Sequence, residues 1–252
     1  CGMAEIRLHL KKAPITEALI DLQLRSPLEF ESVQAFAEAS MAECGYELKG
    51  PIVKVETRLA MTKGESPHSQ ARSQGIGVRL HSSDERYVLQ LRTNGFTLSR
   101  LEPYEAWNSL VTEARRLWSL YVSSLNPNAV GRVATRYINR LMLPMQPGEH
   151  FEEYLSTPPQ IPKELPQGVS SFMQKVVIRD PQTGAHANLI QMLPEGVSPP
   201  DHVPIVIDID VYCMVEISPG SNDIWTLLET LRIFKNSAFF ASITEKTAGL
   251  IE

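Results

Sequence analysis

Residues 204–217 read PIVIDIDVYCMVEI, and this stretch decides the fold. Large apolar side chains alternate with other residues along it, and this period of two is typical of a β-strand with one buried face. The side chains expected to face the core are Ile205, Ile207, Ile209 and Val211. Asp208 and Asp210 alternate with them, so both carboxylates are predicted to point to the opposite face.

Other segments share this alternation or are rich in β-branched and aromatic residues, both of which are typical of strands. They lie at residues 18–25, 52–61, 75–81, 86–92, 96–101, 130–143, 172–179 and 187–193. Asn94-Gly95 predicts a tight hairpin in which both residues adopt positive φ. The polar residues 63–74 predict a loop.

Three longer segments carry apolar residues at helical spacing. Residues 30–44 predict a helix that ends at Gly45, where a C-cap glycine belongs. Pro103 predicts the start of a second helix, which Asn126-Pro127 ends. Ser221 is the expected N-cap of a third helix over 223–238. A short acidic helix is expected at 150–155.

Together these elements predict an α+β protein with a mainly antiparallel sheet and long helices packed on one side. The many prolines of residues 144–167 predict a connector between an N-terminal half, 3–143, and a C-terminal half, 168–252. Both halves run through several strands to a helix that contains tryptophan, with Trp107 and Trp225 in comparable places. We interpret them as two related sheet-and-helix halves.

The amino-acid composition indicates which partners and which cellular location to expect. The formal net charge is −5 and no Lys/Arg run exceeds two residues, so nucleic acid is not the expected partner. No apolar run of about 18 residues predicts a membrane span. No signal peptide precedes the first strand, and we expect a cytoplasmic protein. We interpret Cys1-Gly2 as non-native residues before a natural start at Met3; a lipid-modified Cys1 is the alternative.

Three arginines form a row in residues 130–143. If that segment is one uninterrupted strand, Arg132, Arg136 and Arg140 share a face. Such a row suits the recognition of phosphate or carboxylate groups. The reading that we favour pairs the arginines with acidic side chains of neighbouring strands, such as Asp208 and Asp210.

The same two aspartates suggest a metal site. Two carboxylates on one face could bind Mg²⁺ or Mn²⁺, although a solvated outer face is the reading that we favour. We expect no cofactor. The six histidines and three cysteines are dispersed without metal-ligand spacing, and the common nucleotide-binding and hydrolase motifs are absent. The sequence leaves open whether the protein is an enzyme.

Three short motifs resemble a known family. They are residues 12–18 (KAPITEA), 136–140 (RYINR) and 235–244 (KNSAFFASIT). In these motifs the chain resembles a sporadically distributed bacterial family of uncharacterised proteins. The resemblance implies a gene that moves between genomes, often near defence or toxin-related functions. Physically, Asn139 alternates with Arg136 and Arg140, so its amide is expected to face inward and to be hydrogen-bonded.

Two functions follow from these observations. The first is a non-enzymatic, defence- or toxin-associated protein that binds another protein, with a homo-oligomer as a further expectation. The alternative is a metal-dependent hydrolase or a phosphate-ligand binder. It requires Asp208, Asp210 and the arginine row to converge in one pocket.

Overall fold

A computed structural model describes residues 13–60, 68–145, 149–196 and 201–251 of the chain. The strands are β1 (Ile15–Leu24), β2 (Tyr46–Ala60), β3 (His68–Ser82), β4 (Tyr87–Arg92), β5 (Gly95–Leu101), β6 (Val130–Leu143), β7 (Phe172–Arg179), β8 (His186–Leu193) and β9 (Val203–Ile217). The helices are α1 (Phe30–Ser40), α2 (Trp107–Leu125), α3 (Asp223–Ser242) and α4 (Glu245–Ile251). Residues 1–12, with Cys1-Gly2 and the first residue of the opening motif, lie outside the described residues.

The strands of the described residues form one sheet in the order β2-β3-β4-β5-β1-β6-β9-β8-β7. Every neighbouring pair is antiparallel. The predicted α+β class with a mainly antiparallel sheet is therefore confirmed. β1 and β6 lie side by side at the centre, so residues from the start and the middle of the chain meet there.

The core lies between one face of the sheet and the helices. A cross-strand row of apolar side chains shows the pattern, because Leu80, Leu89, Leu98, Ile20 and Val211 are all fully buried on that face. Burying each such side chain contributes about 1.5–3 kcal/mol. The face is covered by α1 over β3 and β4, α2 over β5 and β1, and α3 over β6 and β9. We call the opposite side of the sheet the open face.

The hairpin between β4 and β5 forms, but not with the predicted geometry. Arg92 pairs with Gly95, so the two-residue loop is Thr93-Asn94, and neither residue has positive φ. Gly95 is required for another reason. A Cβ built on it would clash with the carbonyl oxygen of Leu22 on β1, so only glycine permits this approach of the two strands.

Several predicted boundaries were wrong. β3 begins at His68, inside the predicted loop of residues 63–74, because the backbone of residues 68–74 pairs in register with β2. α1 ends at Ser40, and Gly45 with φ +83° belongs to the following turn. α2 begins at Trp107, four residues after Pro103. The predicted short helix is a single 3₁₀ turn, Phe151–Glu153.

None of the helices in the described ranges combines the length and apolar character that crossing a membrane requires.

Candidate functional site

The arginine row lies on the open face. Residues 130–143 form one uninterrupted strand, β6, and Arg132, Arg136 and Arg140 lie on the side away from the helices. Arg136 pairs in register with Asp210 of β9, so Asp208 and Asp210 lie on that side too. The predicted placement of all five side chains on one face therefore holds.

An aspartate that sequence reasoning did not single out lies at the centre of this face. The carboxylate of Asp21 on β1 accepts hydrogen bonds from Nη2 of Arg92 at 2.6 Å and from Nη1 of Arg132 at 2.8 Å. The hydroxyl of Thr97 donates a third, at 2.6 Å. These contacts bury Asp21 almost completely and join β4, β5, β1 and β6.

The network continues from Arg132 to the next two strands. Its Nη2 donates to both carboxylate oxygens of Asp210, at 3.0 and 2.8 Å. The amide of Asn188 on β8 donates to Asp210 at 3.1 Å. The guanidinium of Arg132 also lies 4.5 Å from the ring centroid of Tyr212, which stacks on His186. One chain of polar contacts thus crosses six adjacent strands.

A second ion pair, between Arg136 and Asp208, joins β6 and β9 beside the pair of Arg132 and Asp210. Nε and Nη2 of Arg136 donate to the two oxygens of Asp208, at 2.8 and 2.5 Å, in the two-pronged geometry that strengthens such pairs. The hydrogen bonds that Arg136 donates to Asp208 raise the pKa of Arg136 above its usual range. Asp208 is 5% exposed. It is therefore a buried ion-pair partner and not part of the solvated surface that the sequence suggested.

Arg140 differs from the other two arginines of the row. It is exposed, and no described residue forms an ion pair or hydrogen bond with its side chain. Arg79 on β3 and Lys175 and Arg179 on β7 are also exposed, lie on the open face by register and have no ion-pair partner within the described ranges. Glu17 on β1 is half-buried, and it too has no ion-pair partner within the described ranges.

Metal coordination by Asp208 and Asp210 finds no support in this geometry. Each carboxylate is engaged by a different arginine. Within the described ranges, no group of three or more His, Cys, Asp or Glu side chains is arranged to bind a metal ion. Cys213 is buried in β9 and Cys44 is half-buried after α1.

A second polar cluster lies on the helix face. Nζ of Lys235 on α3 is 3.6 Å from the ring centroid of Tyr137 on β6. Burial, together with the charge of Arg232, lowers the pKa of Lys235 to about 7. The hydroxyl groups of Tyr137 and Tyr104 are hydrogen-bonded at 3.0 Å. Burial raises the pKa of Tyr104 to about 12 and that of Tyr137 well above its usual value.

The three motifs of the family resemblance meet around this second cluster. The backbone N–H of Arg140 donates to the carbonyl of Pro14, and the Thr16 hydroxyl donates to the carbonyl of Ile138. Lys235 reaches the middle motif through Tyr137. The Asn139 amide donates to the carbonyl of Ile207 at 3.0 Å, which confirms its predicted inward direction and hydrogen bonding.

A cavity of about 730 Å³ lies beside the Pro-rich connector, with His150, Lys163 and His202 in its lining. Its lining also includes residues directly next to the undescribed segments 146–148 and 197–200. Its shape therefore depends on residues outside the described ranges, and we assign it no ligand.

Sequence reasoning did not identify Asp21 and Arg92 as residues of the site, and it did not predict the burial of Lys235. Asp21 alternates with Ile20 and Leu22 in β1, and this alternation is the local sign that it lies on the open face. A single sequence contains no signal that Arg92 and Arg132 would approach it from two other strands. Lys235 sits among apolar residues of α3, and that composition was the one local sign of its burial.

No model of a known protein family matches this chain, and no curated protein is significantly similar to it.

Proposed function

We propose that this chain is a non-enzymatic, cytoplasmic protein-binding module whose open face docks against an acidic surface of a partner protein. One observation carries the proposal. The buried carboxylates Asp21 and Asp208 and the half-buried Asp210 are engaged by arginines, whereas four exposed cations of the same face have no ion-pair partner in the described chain. Those cations are Arg79, Arg140, Lys175 and Arg179.

The spacing of these cations favours a large partner over a small anion. Arg79 and Arg179 belong to one cross-strand row, which runs from β3 to β7 across seven strand intervals. At about 4.8 Å per interval, they are separated by roughly 34 Å. A phosphate group needs cations that converge within a few ångströms, whereas a protein surface contacts cations spread over such a distance.

The same charges argue for protein over nucleic acid. Binding to a phosphate backbone depends on cations that are free to replace condensed counterions. The central arginines Arg92, Arg132 and Arg136 are instead engaged by carboxylates. The chain as a whole carries a net charge of −5, which opposes non-specific association with nucleic acid.

We also infer how the fold arose and to which class the partner belongs. We infer that the chain arose as two related halves, because α2 and α3 make reciprocal contacts: Arg115 lies over Trp225 at 4.8 Å and Arg232 over Trp107 at 5.7 Å. A toxin- or defence-related partner is the class that the family resemblance implies.

The test uses poly-L-glutamate as a defined acidic probe, with double-stranded DNA as the competing polyanion. We expect the purified chain to bind poly-L-glutamate at low salt and the double variant Arg79→Glu/Arg140→Glu to bind it at least about tenfold more weakly. Lys163→Glu is the matched control, because Lys163 is an exposed cation of the connector and not of the sheet. Its single charge reversal should have a much smaller effect.

A photo-crosslinking amino acid in place of Arg140 would then identify the natural partner in the cells of origin. Equal weakening by the sheet and connector variants would contradict a docking role of the open face. Tighter binding of DNA than of poly-L-glutamate, with a steep salt dependence, would favour nucleic acid and overturn the proposal.

A further inference from the structure

β7 is the last strand of the described sheet, and its outer edge is unpaired. It forms eight consecutive register pairs with β8, from Phe172–Leu193 to Arg179–His186, without a bulge. No backbone hydrogen bond from another described segment reaches residues 172–179. In an antiparallel strand, alternate residues direct N–H and C=O groups away from the paired neighbour. β7 therefore presents a regular row of such groups outward.

Several apolar side chains of β7 are exposed, in addition to its backbone edge. Met173 is 73% exposed, Val177 56% and Val176 52%. A long, flat edge with apolar side chains is a template for another strand, and natural proteins usually shorten, twist or cover such edges. The connector approaches β7 through the contact of Gln174 with the Thr157 carbonyl, but that contact is made by a side chain and leaves the backbone edge open.

We propose that β7 binds an extended acidic segment of the partner protein as an additional antiparallel strand. This inference deepens the proposed function and rests on it. Main-chain hydrogen bonds along an edge supply affinity in this mode of recognition, and alternate side chains supply specificity. Lys175 and Arg179 are the charged residues of β7, and both lie on the open face four residues apart.

These two cations define the sequence of the added strand. Opposite charges directly across a pair of strands stabilise the pairing, and like charges destabilise it. The segment should therefore place acidic residues four apart, with an apolar residue midway between them to lie against Val177. Lys175, Val177 and Arg179 already lie on one face of β7, so this pairing requires no rearrangement of the rest of the fold.

A second copy of this chain fits the edge less well. Antiparallel pairing of β7 with itself centred on Val177 places Lys175 opposite Arg179 of the copy, and pairing centred on Lys175 places two lysines opposite each other. The register between these two, centred on Val176, places Lys175 opposite Val177 and Arg179 opposite Met173. In none of these registers does the second copy place an acidic side chain opposite Lys175 or Arg179.

The test is a charge exchange with two synthetic peptides. One is Thr-Glu-Thr-Val-Thr-Glu-Thr, and the other has lysine in place of both glutamates. We expect the wild-type chain to prefer the glutamate peptide and to gain amide hydrogen-exchange protection in residues 172–179 on binding it. The variant Lys175→Glu/Arg179→Glu should reverse the preference. Each affinity should change by about tenfold, since two attractive pairs become repulsive.

Arg79→Glu/Arg140→Glu separates this inference from the proposed function, because those residues are distant from β7. If the peptide preference fails to reverse while poly-L-glutamate binding still depends on Arg79 and Arg140, strand addition is wrong and the docking face stands. A dimer of the free chain whose β7 amides are already protected would show that a second copy occupies the edge, and would overturn the inference. Both exchanged positions are exposed, and an unchanged circular dichroism spectrum would verify folding.

Discussion

Asp21 and Arg132 form an ion pair across the junction of the two central strands, with 2.8 Å between Oδ2 and Nη1. The side chains come from β1 and β6, which are separated by more than a hundred residues in sequence. Because Asp21 also binds Arg92, one nearly buried carboxylate balances two guanidinium groups. The open face can therefore be positively charged at its surface while the layer beneath it is neutralised.

Replacement of Asp21 should be among the most destabilising polar substitutions of this sheet. Asp21→Asn keeps the shape but leaves Arg92 and Arg132 without their shared anion. We expect a loss of about 3–5 kcal/mol in the free energy of unfolding, measured by urea titration. Glu216→Gln is the control: it breaks the exposed pair with Arg25 and should cost less than about 1 kcal/mol. Similar losses in the two variants would contradict a central role for Asp21.

The pair of Arg136 and Asp208 should behave as a coupled unit. Asp208→Leu alone leaves a guanidinium without its partner, and Arg136→Leu alone leaves a buried carboxylate unpaired. We expect each single variant to lose about 3 kcal/mol and the double variant to lose less than either. Urea unfolding of the four proteins gives the coupling free energy. Additive losses would show that the two side chains act independently.

Lys235 predicts a pH dependence of stability. Its pKa is lowered to about 7 in the folded chain, whereas an unfolded chain has the ordinary value near 10.4. The unfolded state therefore binds more protons between these values, and the destabilisation by Lys235 is complete below pH 7 and declines as the pH rises.

Substitution of Lys235 by methionine isolates this effect. The advantage in unfolding free energy of Lys235→Met over wild type should shrink by up to about 1.4 kcal/mol for each pH unit between pH 7.5 and 9.5. Arg115→Met serves as the comparison, because an arginine does not titrate in this range and the charge that lowers the pKa of Lys235 belongs to Arg232. A difference between Lys235→Met and wild type that stayed constant with pH would show that the lysine keeps its charge when buried.

Gly95 tests the close approach of β5 to β1. In Gly95→Ala the new methyl group would meet the backbone of Leu22 and Gln23, which cannot move without disturbing the ladder. We expect a loss of roughly 1–3 kcal/mol, measured by thermal or urea unfolding. Gly168→Ala is the matched control, because nothing lies within 4 Å of its Cβ position and its φ is not positive. Equal stability of the two variants would refute the steric argument.

Divalent metal provides a test of the alternative function. Asp208 and Asp210 are bound to different arginines, so about 5 mM Mg²⁺ or Mn²⁺ should leave the melting temperature unchanged. A ligand that binds the folded state raises stability in proportion to the logarithm of its concentration over Kd. A melting temperature that rises with metal concentration, and no longer rises in Asp208→Asn, would restore the metal-dependent hydrolase.

Much of the local structure was determined by the sequence itself. The alternation of Ile205, Ile207, Ile209 and Val211 with Asp208 and Asp210 fixed which face of β9 is buried, because successive side chains of a strand point to opposite faces. The same rule placed Arg132, Arg136 and Arg140 together. The inward direction of Asn139 followed as well.

Only the tertiary structure decided what surrounds those side chains. Strand order brings β4, β1, β6 and β9 within one network, so Asp21 is buried between Arg92 and Arg132. Asp208 is buried beside Arg136, although alternation alone suggested a solvated face. Strand order also leaves β7 at an edge, whereas its sequence resembles that of a paired strand. The physical reason is one of range: periodicity records the direction of a side chain relative to its own backbone, while burial, ion pairing and edge position depend on segments distant in the chain.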